Sequence, residues 1–253
     1  MLEAIIGLIG GVLIGSTGAG TGSLLTPLLI LAGYRPALAI GTGMGSLFVS
    51  KLVGSVAHRR LGHWPGRTGW YVLAGGVVGV VLAWTIASHW VPSGGDTTMR
   101  RLVGATLLIA SAAATFASKR QKADENDASL PSKSLPTPRP WLLLAVGILV
   151  AAVVSLTSAG SGSLLVTFLL LATSWRVPQL AAMSNIFGSF VGALTLGLHW
   201  KPQDFDPHLF GLVMFGVIPG VLAGVLLSRW ISRQWLVWGV YTLSIFLGVA
   251  LLA

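Results

Sequence analysis

The sequence predicts an all-α, polytopic helical membrane protein built as two related halves. Three observations lead there. Only 9% of the 253 residues are charged, 54% are hydrophobic, and mean hydropathy is +0.82. A soluble domain carries roughly a quarter of its residues as Asp, Glu, Lys and Arg, so there is too little charge here to cover a water-facing surface. The apolar runs reach the ~20 residues of helix that cross a hydrocarbon core about 30 Å thick. Finally, a polar, glycine-rich motif interrupts an apolar run twice, as STGAGTGSLL at 16–25 and LTSAGSGSLL at 156–165.

About eight hydrophobic segments follow in order. The first, 4–32, opens on MLEAIIGLIGGVLIG, whose only early charge is Glu3. Without a basic leader region it reads as retained rather than cleaved. The second, 37–57, runs into His58, Arg59 and Arg60; the third and fourth are 69–91 and 100–117. The polar, proline-rich stretch 119–140, KRQKADENDASLPSKSLPTPRP, then reads as a solvated linker. Interrupted 141–172 comes next, followed by 178–198, 209–228 and 234–252. The chain therefore divides into a first transmembrane repeat (1–118), the linker (119–140) and a second repeat (141–253).

The halves align at one offset. Residues 15–32 over 155–172 match at ten of eighteen positions, and 76–90 over 216–230 at seven of fifteen. An internal repeat with an interrupted span at corresponding positions is a pattern of secondary transporters. Trp64, Trp70, Trp90, Trp141, Trp200, Trp230 and Trp235 fall at or near segment ends, where indoles anchor at the membrane interface. Gly75/Gly79, Gly216/Gly220 and Gly220/Gly224 offer small faces for close helix contact.

Each glycine weakens a helix by roughly 1 kcal/mol relative to alanine. Irregular backbone inside a membrane survives only where protein encloses it or a polar cavity wets it. The motif therefore predicts a helix break in each half. The candidate binding residues are Thr17, Gly18, Ala19, Gly20, Thr21, Gly22 and Ser23, with Thr157, Ser158, Ala159, Gly160, Ser161, Gly162 and Ser163. Their N–H groups and hydroxyls are donors. The helices resuming at Leu24 and Leu164 would point positive dipole ends into the same space. That makes an anion site without formal charge, the competing reading being close helix packing alone. A nucleotide-phosphate loop is disfavoured, because the motif lacks the GxGxxG spacing and the Walker lysine.

The charges narrow the chemistry further. The seven acids are Glu3, Asp96, Asp124, Glu125, Asp127, Asp204 and Asp206, none deep in a segment. Proton and metal-cation carriers that use intramembrane carboxylates lose their key residues. The absence of cysteine removes thiolate metal sites and thiol catalysis. The net charge of +9 lies in short loops and the linker, which fits retained cytoplasmic loops rather than nucleic-acid binding. Lys51 is the one basic residue well inside a segment, either drawing in an anion or snorkelling to the interface. Thr42 in GTGMGS and Ser184 with Asn185 in MSNIFGS add polar candidates in the next segment of each half.

At this point GAGTGSLLTPLL, PALAIGTGM and SVAHRRLGHW, with the second copy TSAGSGSLL and LAAMSNIFGS, resemble the sulfite exporter TauE/SafE family. That family is also called the toluene-sulfonate uptake permease family. Ser158 stands where the first copy has Gly18. The resemblance implies a multi-pass secondary transporter of the bacterial inner membrane, moving sulfite, sulfonates or related small organosulfur anions. The expected partners are such an anion and membrane lipid, with a coupling proton or ion and a homo-oligomer left open. No cofactor, metal, nucleic acid or enzymatic activity is expected. A passive anion channel and a structural membrane subunit are the alternatives.

Topology turns on the interrupted spans. If each crosses fully, the halves are parallel, and nine Lys and Arg outside the segments share the linker face against six opposite. If each is a re-entrant hairpin, the halves are inverted and the division becomes eleven against four. The positive-inside rule favours the second, with a cytoplasmic linker and both termini outside.

Overall fold

With almost no charge to spend on a wet surface, the apolar segments must satisfy their own N–H and C=O groups, which makes them helical. The computed structural model describes the backbone of all residues except 18–21, 65, 91–94, 127–138, 176, 199–204 and 228–232. The described residues form α1 (Leu2–Thr17), α2 (Gly22–Leu31), α3 (Pro36–Arg60), α4 (Arg67–Trp90) and α5 (Asp96–Asn126) in the first half. The second half holds α6 (Pro140–Thr157), α7 (Ser163–Ala172), α8 (Val177–Leu198), α9 (Pro207–Leu227) and α10 (Arg233–Leu252). There is no strand among the described residues. Among them, α3, α4, α5, α6, α8 and α9 are long and apolar enough to cross a membrane.

Both interrupted spans are helix pairs, but the breaks are narrower than the motif. The first helix of each pair runs on to Thr17 or Thr157, and the second begins at Gly22 or Ser163. Inside apolar surroundings an unpaired backbone group costs more than the weak helix propensity of glycine. The linker boundary also shifts, because α5 continues to Asn126, eight residues past the end of the first repeat as read from sequence. KRQKADEN holds good helix formers and neither glycine nor proline. The remainder of the linker, 127–138, lies outside the described residues.

Two contacts orient the first half. The Tyr34 hydroxyl, just after α2, donates to Glu3 Oε1 at the start of α1 at 2.6 Å. The chain therefore enters and leaves the α1–α2 pair at one end. Arg35 Nε lies 3.7 Å from Asp96 Oδ2, so α3 and α5 both start at that end. The far ends of α3 and α5 point the other way, toward the linker.

Glycines set the registers between the halves. Gly7 and Gly11 of α1 meet Val213 and Val217 of α9, and Gly75 and Gly79 of α4 meet Leu144 and Ile148 of α6. In both pairs the numbers rise together, so the helices run parallel. Between α3 and α8 the partners are Phe48 with Gly192, Lys51 with Gly188, and Gly54 with Asn185. Between α5 and α10 they are Gly104 with Leu251 and Leu108 with Gly248. In these two pairs one number rises as the other falls, so the helices are antiparallel. Most of the larger contacts have a counterpart with the halves exchanged: α1·α9 with α6·α4, α2·α10 with α7·α5, and α2·α3 with α7·α8. A Cβ at Gly220 would sit 2.5 Å from the Leu8 carbonyl oxygen, and one at Gly11 2.5 Å from that of Val217. The small faces at Gly75/Gly79 and Gly216/Gly220 thus hold one half against the other. Away from these seams, Phe215, Ile218 and Leu222 expose an apolar stripe along α9 at helical spacing.

Candidate helix-break anion site

The second break is built by a change of backbone hand. After Thr157 the chain takes Ser158 at φ 56°, ψ 1°, its N–H reaching back to the Val154 carbonyl at 2.6 Å, and then Gly160 at φ 82°. A non-glycine residue in this left-handed region costs roughly 1–2 kcal/mol. Its hydroxyl has a dedicated partner. The Thr26 hydroxyl on α2 donates to the Ala39 carbonyl of α3 at 3.3 Å, so its oxygen accepts from Ser158 Oγ in a short hydrogen bond. The close approach needs Gly43, where a Cβ would fall 2.8 Å from Ser158 Oγ. One half's break is thus held by α2 and α3 of the other.

Beyond Ser158 the chain stays enclosed: Ser158, Ala159, Gly160 and Ser161 are all buried. Helix α7 then begins with Gly162 at its N-cap and no side-chain cap. Gly160, Ser161, Gly162 and Ser163 line a cavity of about 40 Å³, together with Ser111 of α5 and Tyr241 and Ser244 of α10. A single water-sized group needs roughly 10–15 Å³ by the same measure, so the space admits a small ligand. Among the described residues, what lines it is a helix N-terminus, hydroxyls and alanine, leucine and valine side chains, with no carboxylate. Such an environment favours an anion.

Thr157 also closes its own helix. Its hydroxyl donates to the Val153 carbonyl at 2.7 Å and accepts the Ala159 N–H at 3.3 Å, so it closes α6. In the first half, Thr17 is the last residue of α1, and Gly22 and Ser23 are the first of α2. Gly18, Ala19, Gly20 and Thr21 lie outside the described residues.

The candidates on α3 and α8 separate into two places. Thr42 is fully buried, and among the described residues its hydroxyl has no hydrogen-bond partner. Lys51 is only 5% exposed and points across to α8, where Nζ donates to Ser184 Oγ at 3.3 Å. The side chain lies in the α3–α8 contact rather than on the exposed surface of α3. Asn185 Nδ2 donates to the Ala181 carbonyl at 2.9 Å while Oδ1 faces Gly54. Lys51, Ser184 and Asn185 therefore gather on one α3–α8 seam. Lys51 stands eight residues beyond Gly43 on α3, about 12 Å at 1.5 Å per residue.

Several residues near the breaks escaped the sequence reading. Thr26 and Gly43 are the partners of Ser158, and Ser155 Oγ lies 2.9 Å from Thr195 Oγ1. The hydroxyl of Thr26 within apolar SLLTPLLIL was the available signal. A second cavity of about 110 Å³ lies beside this pair, between Ala37 and Met44 of α3, Ala87 of α4, Met99 of α5 and Phe205. These residues mark the end of the molecule opposite the linker. There, the Glu3 carboxylate hydrogen-bonded to Tyr34 pushes the phenol above its ordinary pKa. At the linker end, His58 and His63 approach Nδ1 to Nδ1 at 3.1 Å, while His199 lies outside the described residues.

Comparison with known proteins agrees with this architecture. A family model described as "Sulfite exporter TauE/SafE" matches residues 3–251. The "Probable membrane transporter protein YjnA" of Bacillus subtilis (strain 168) is 28% identical over 230 residues, covering 88% of each chain. No solved structure matches. The long apolar helices and these matches make this a multi-pass membrane protein.

Proposed function

The chain belongs to the sulfite exporter TauE/SafE family, and from that premise we propose a secondary transporter of sulfite, sulfonates or related small organosulfur anions. It is a membrane transporter by family; substrate, mechanism and site are our reading. The anion would bind between the two helix breaks and cross the inner membrane by alternating access. The observation that carries this is the enclosed break at Ser158–Gly162, whose uncapped helix end opens onto a cavity without acidic residues. A tetrahedral or pyramidal oxyanion takes several N–H and O–H donors at once, and the motif supplies them without a fixed charge that would hold the ligand too tightly.

Inverted repeats support the mechanism. The Glu3–Tyr34 contact favours a re-entrant α1–α2 pair, and antiparallel α3/α8 and α5/α10 favour opposed halves. Two such halves bring their breaks together from opposite faces, the arrangement in which one site alternates in access. With re-entrant pairs, eleven Lys and Arg lie on the linker face (Arg59, Arg60, Arg67, Lys119, Arg120, Lys122, Lys133, Arg139, Arg176, Arg229, Arg233). Four lie opposite (Arg35, Arg100, Arg101, Lys201), so the linker is placed in the cytoplasm.

Reconstitution tests the reading. Proteoliposomes given radiolabelled sulfite or methanesulfonate should show saturable flux that responds to an imposed pH or ion gradient. Non-saturating, voltage-driven current would make the protein a channel instead. No flux of either anion under any gradient would remove the transport reading for these substrates.

A further inference from the structure

We infer that Lys51 forms a second anion station, separate from the helix breaks and lying on the linker side of the path. The inference rests on the transport reading and adds a step to it. Lys51 is a charged side chain almost wholly buried in the seam between the halves. An ammonium carries three donors, and Nζ makes one side-chain hydrogen bond, to Ser184 Oγ at 3.3 Å. Among the described residues no carboxylate forms an ion pair with it. Helix α8 carries no acidic or basic residue between Val177 and Leu198, and neither α2 nor α6 carries one within its bounds. On α9 the titratable residue is His208 in the first turn. On α5, Asp96, Arg100 and Arg101 begin the helix at the end away from the linker, and Lys119, Arg120, Lys122, Asp124 and Glu125 fall in its last turns. The nearest titratable groups on α3 itself are His58 and the Arg59–Arg60 pair, all basic.

A buried charge without a partner is costly and survives where its counter-charge arrives with function. Small residues let the two helices close over these polar side chains. A Cβ at Gly188 would lie 3.1 Å from Lys51 Cγ, and one at Gly54 2.6 Å from Asn185 Oδ1. Glycine on both helices thus leaves the polar ends of Lys51 and Asn185 as the side chains that fill this space.

Position gives the station its side. Lys51 is about 12 Å along α3 from Gly43, too far for one small anion to touch both. The larger cavity opens at the end away from the linker. On the linker side of the breaks, Lys51 of one half is held by Ser184 of the other. When the halves part on that side, Ser184 leaves and an anion takes its place. The anion then passes between the breaks and the linker face by way of Lys51.

The test uses full-length protein in vesicles of uniform orientation, with radiolabelled sulfite supplied to one face at a time. Lys51→Met should raise the half-saturating concentration at the linker face roughly tenfold, the loss of one charge-assisted contact, and leave the opposite face within about twofold. Lys51→Arg should restore most of the linker-face value. Should the methionine variant fail to insert, Lys51→Gln keeps length and polarity without charge and is expected to behave likewise. An equal loss at both faces would place Lys51 in the single central site and overturn the second station, while transport itself stands. Wild-type values at both faces in a neutral variant would overturn it as well. Absence of saturable flux in the wild type would overturn both the transport reading and this step.

Discussion

Ser158 and Gly160 solve one backbone problem with different side chains. Both take positive φ, which glycine adopts freely and serine does not. Serine is kept where its hydroxyl ties the break to Thr26 of the other half, a role glycine cannot fill. Substitution separates the two contributions. Ser158→Gly relieves the left-handed strain and loses the hydrogen bond, whereas Ser158→Ala loses the bond and keeps the strain. The alanine variant should therefore unfold at lower temperature than the glycine variant, by roughly 1 kcal/mol, read as loss of the monodisperse peak on heating in detergent. If the two melt alike, strain at this position does not matter. Gly160→Val should do worse still, because a β-branched side chain cannot take φ 82° and its Cβ would lie 2.8 Å from Leu164 Cδ1. We expect it to insert and to lose at least ninety per cent of sulfite flux; flux within twofold of wild type would move the site away from this break. The motif was legible in the sequence because alternating glycine has few uses in an apolar run. Thr26 was not, because its importance lies in a partner 132 residues away.

The ten helices carry their reasons mostly in composition, but their pairing does not. Apolar length and the two glycine interruptions predict the elements within a few residues. The overshoot at α5 reflects the helix propensity of KRQKADEN, which charge and a proline-rich neighbourhood disguised as linker. Which helix meets which is another matter. Glycines spaced for close contact announce a seam without naming the other side, and the partners prove to lie in the opposite half. The consequence is measurable. Gly216 packs directly on the α1 backbone at Ala4, and Gly220 on that at Leu8. Gly211, on the same helix, has nothing within 4 Å of a built Cβ. Gly220→Val should cost about 1–3 kcal/mol through overpacking, whereas Gly211→Ala should stay within about 0.5 kcal/mol of wild type. Equal melting of the two variants would mean that α1 and α9 are not in this register.

At the scale of the whole molecule, exchanging the halves preserves the main helix contacts, and two repeat-related pairs cross antiparallel. That symmetry gives alternating access a physical basis. One arrangement of two opposed halves, open at one face and closed at the other, has a counterpart of similar energy with the faces exchanged. Lys51 breaks the symmetry, since Val191 occupies its position at the repeat offset. The two states therefore differ in electrostatics, and direction of transport can follow from that difference together with the imposed gradient. All of this depends on α1–α2 being re-entrant, because full crossings would return the halves to parallel. The chain contains no cysteine, so single introduced cysteines report cleanly. Gly62, after α3, belongs to the linker end, while Tyr34, after α2, and Gly95, before α5, belong to the other. In intact cells an impermeant maleimide should label Tyr34→Cys and Gly95→Cys and leave Gly62→Cys protected until the membrane is opened. A second pair of cysteines at Glu3 and Tyr34 should join through a flexible bis-maleimide about 10 Å long, since a full crossing would hold them on opposite sides of a core about 30 Å thick. Labelling of Gly62→Cys from outside would reverse the orientation and leave the hairpin intact. Failure of the cross-link, with both cysteines reactive singly, would remove the hairpin and the inverted repeat with it.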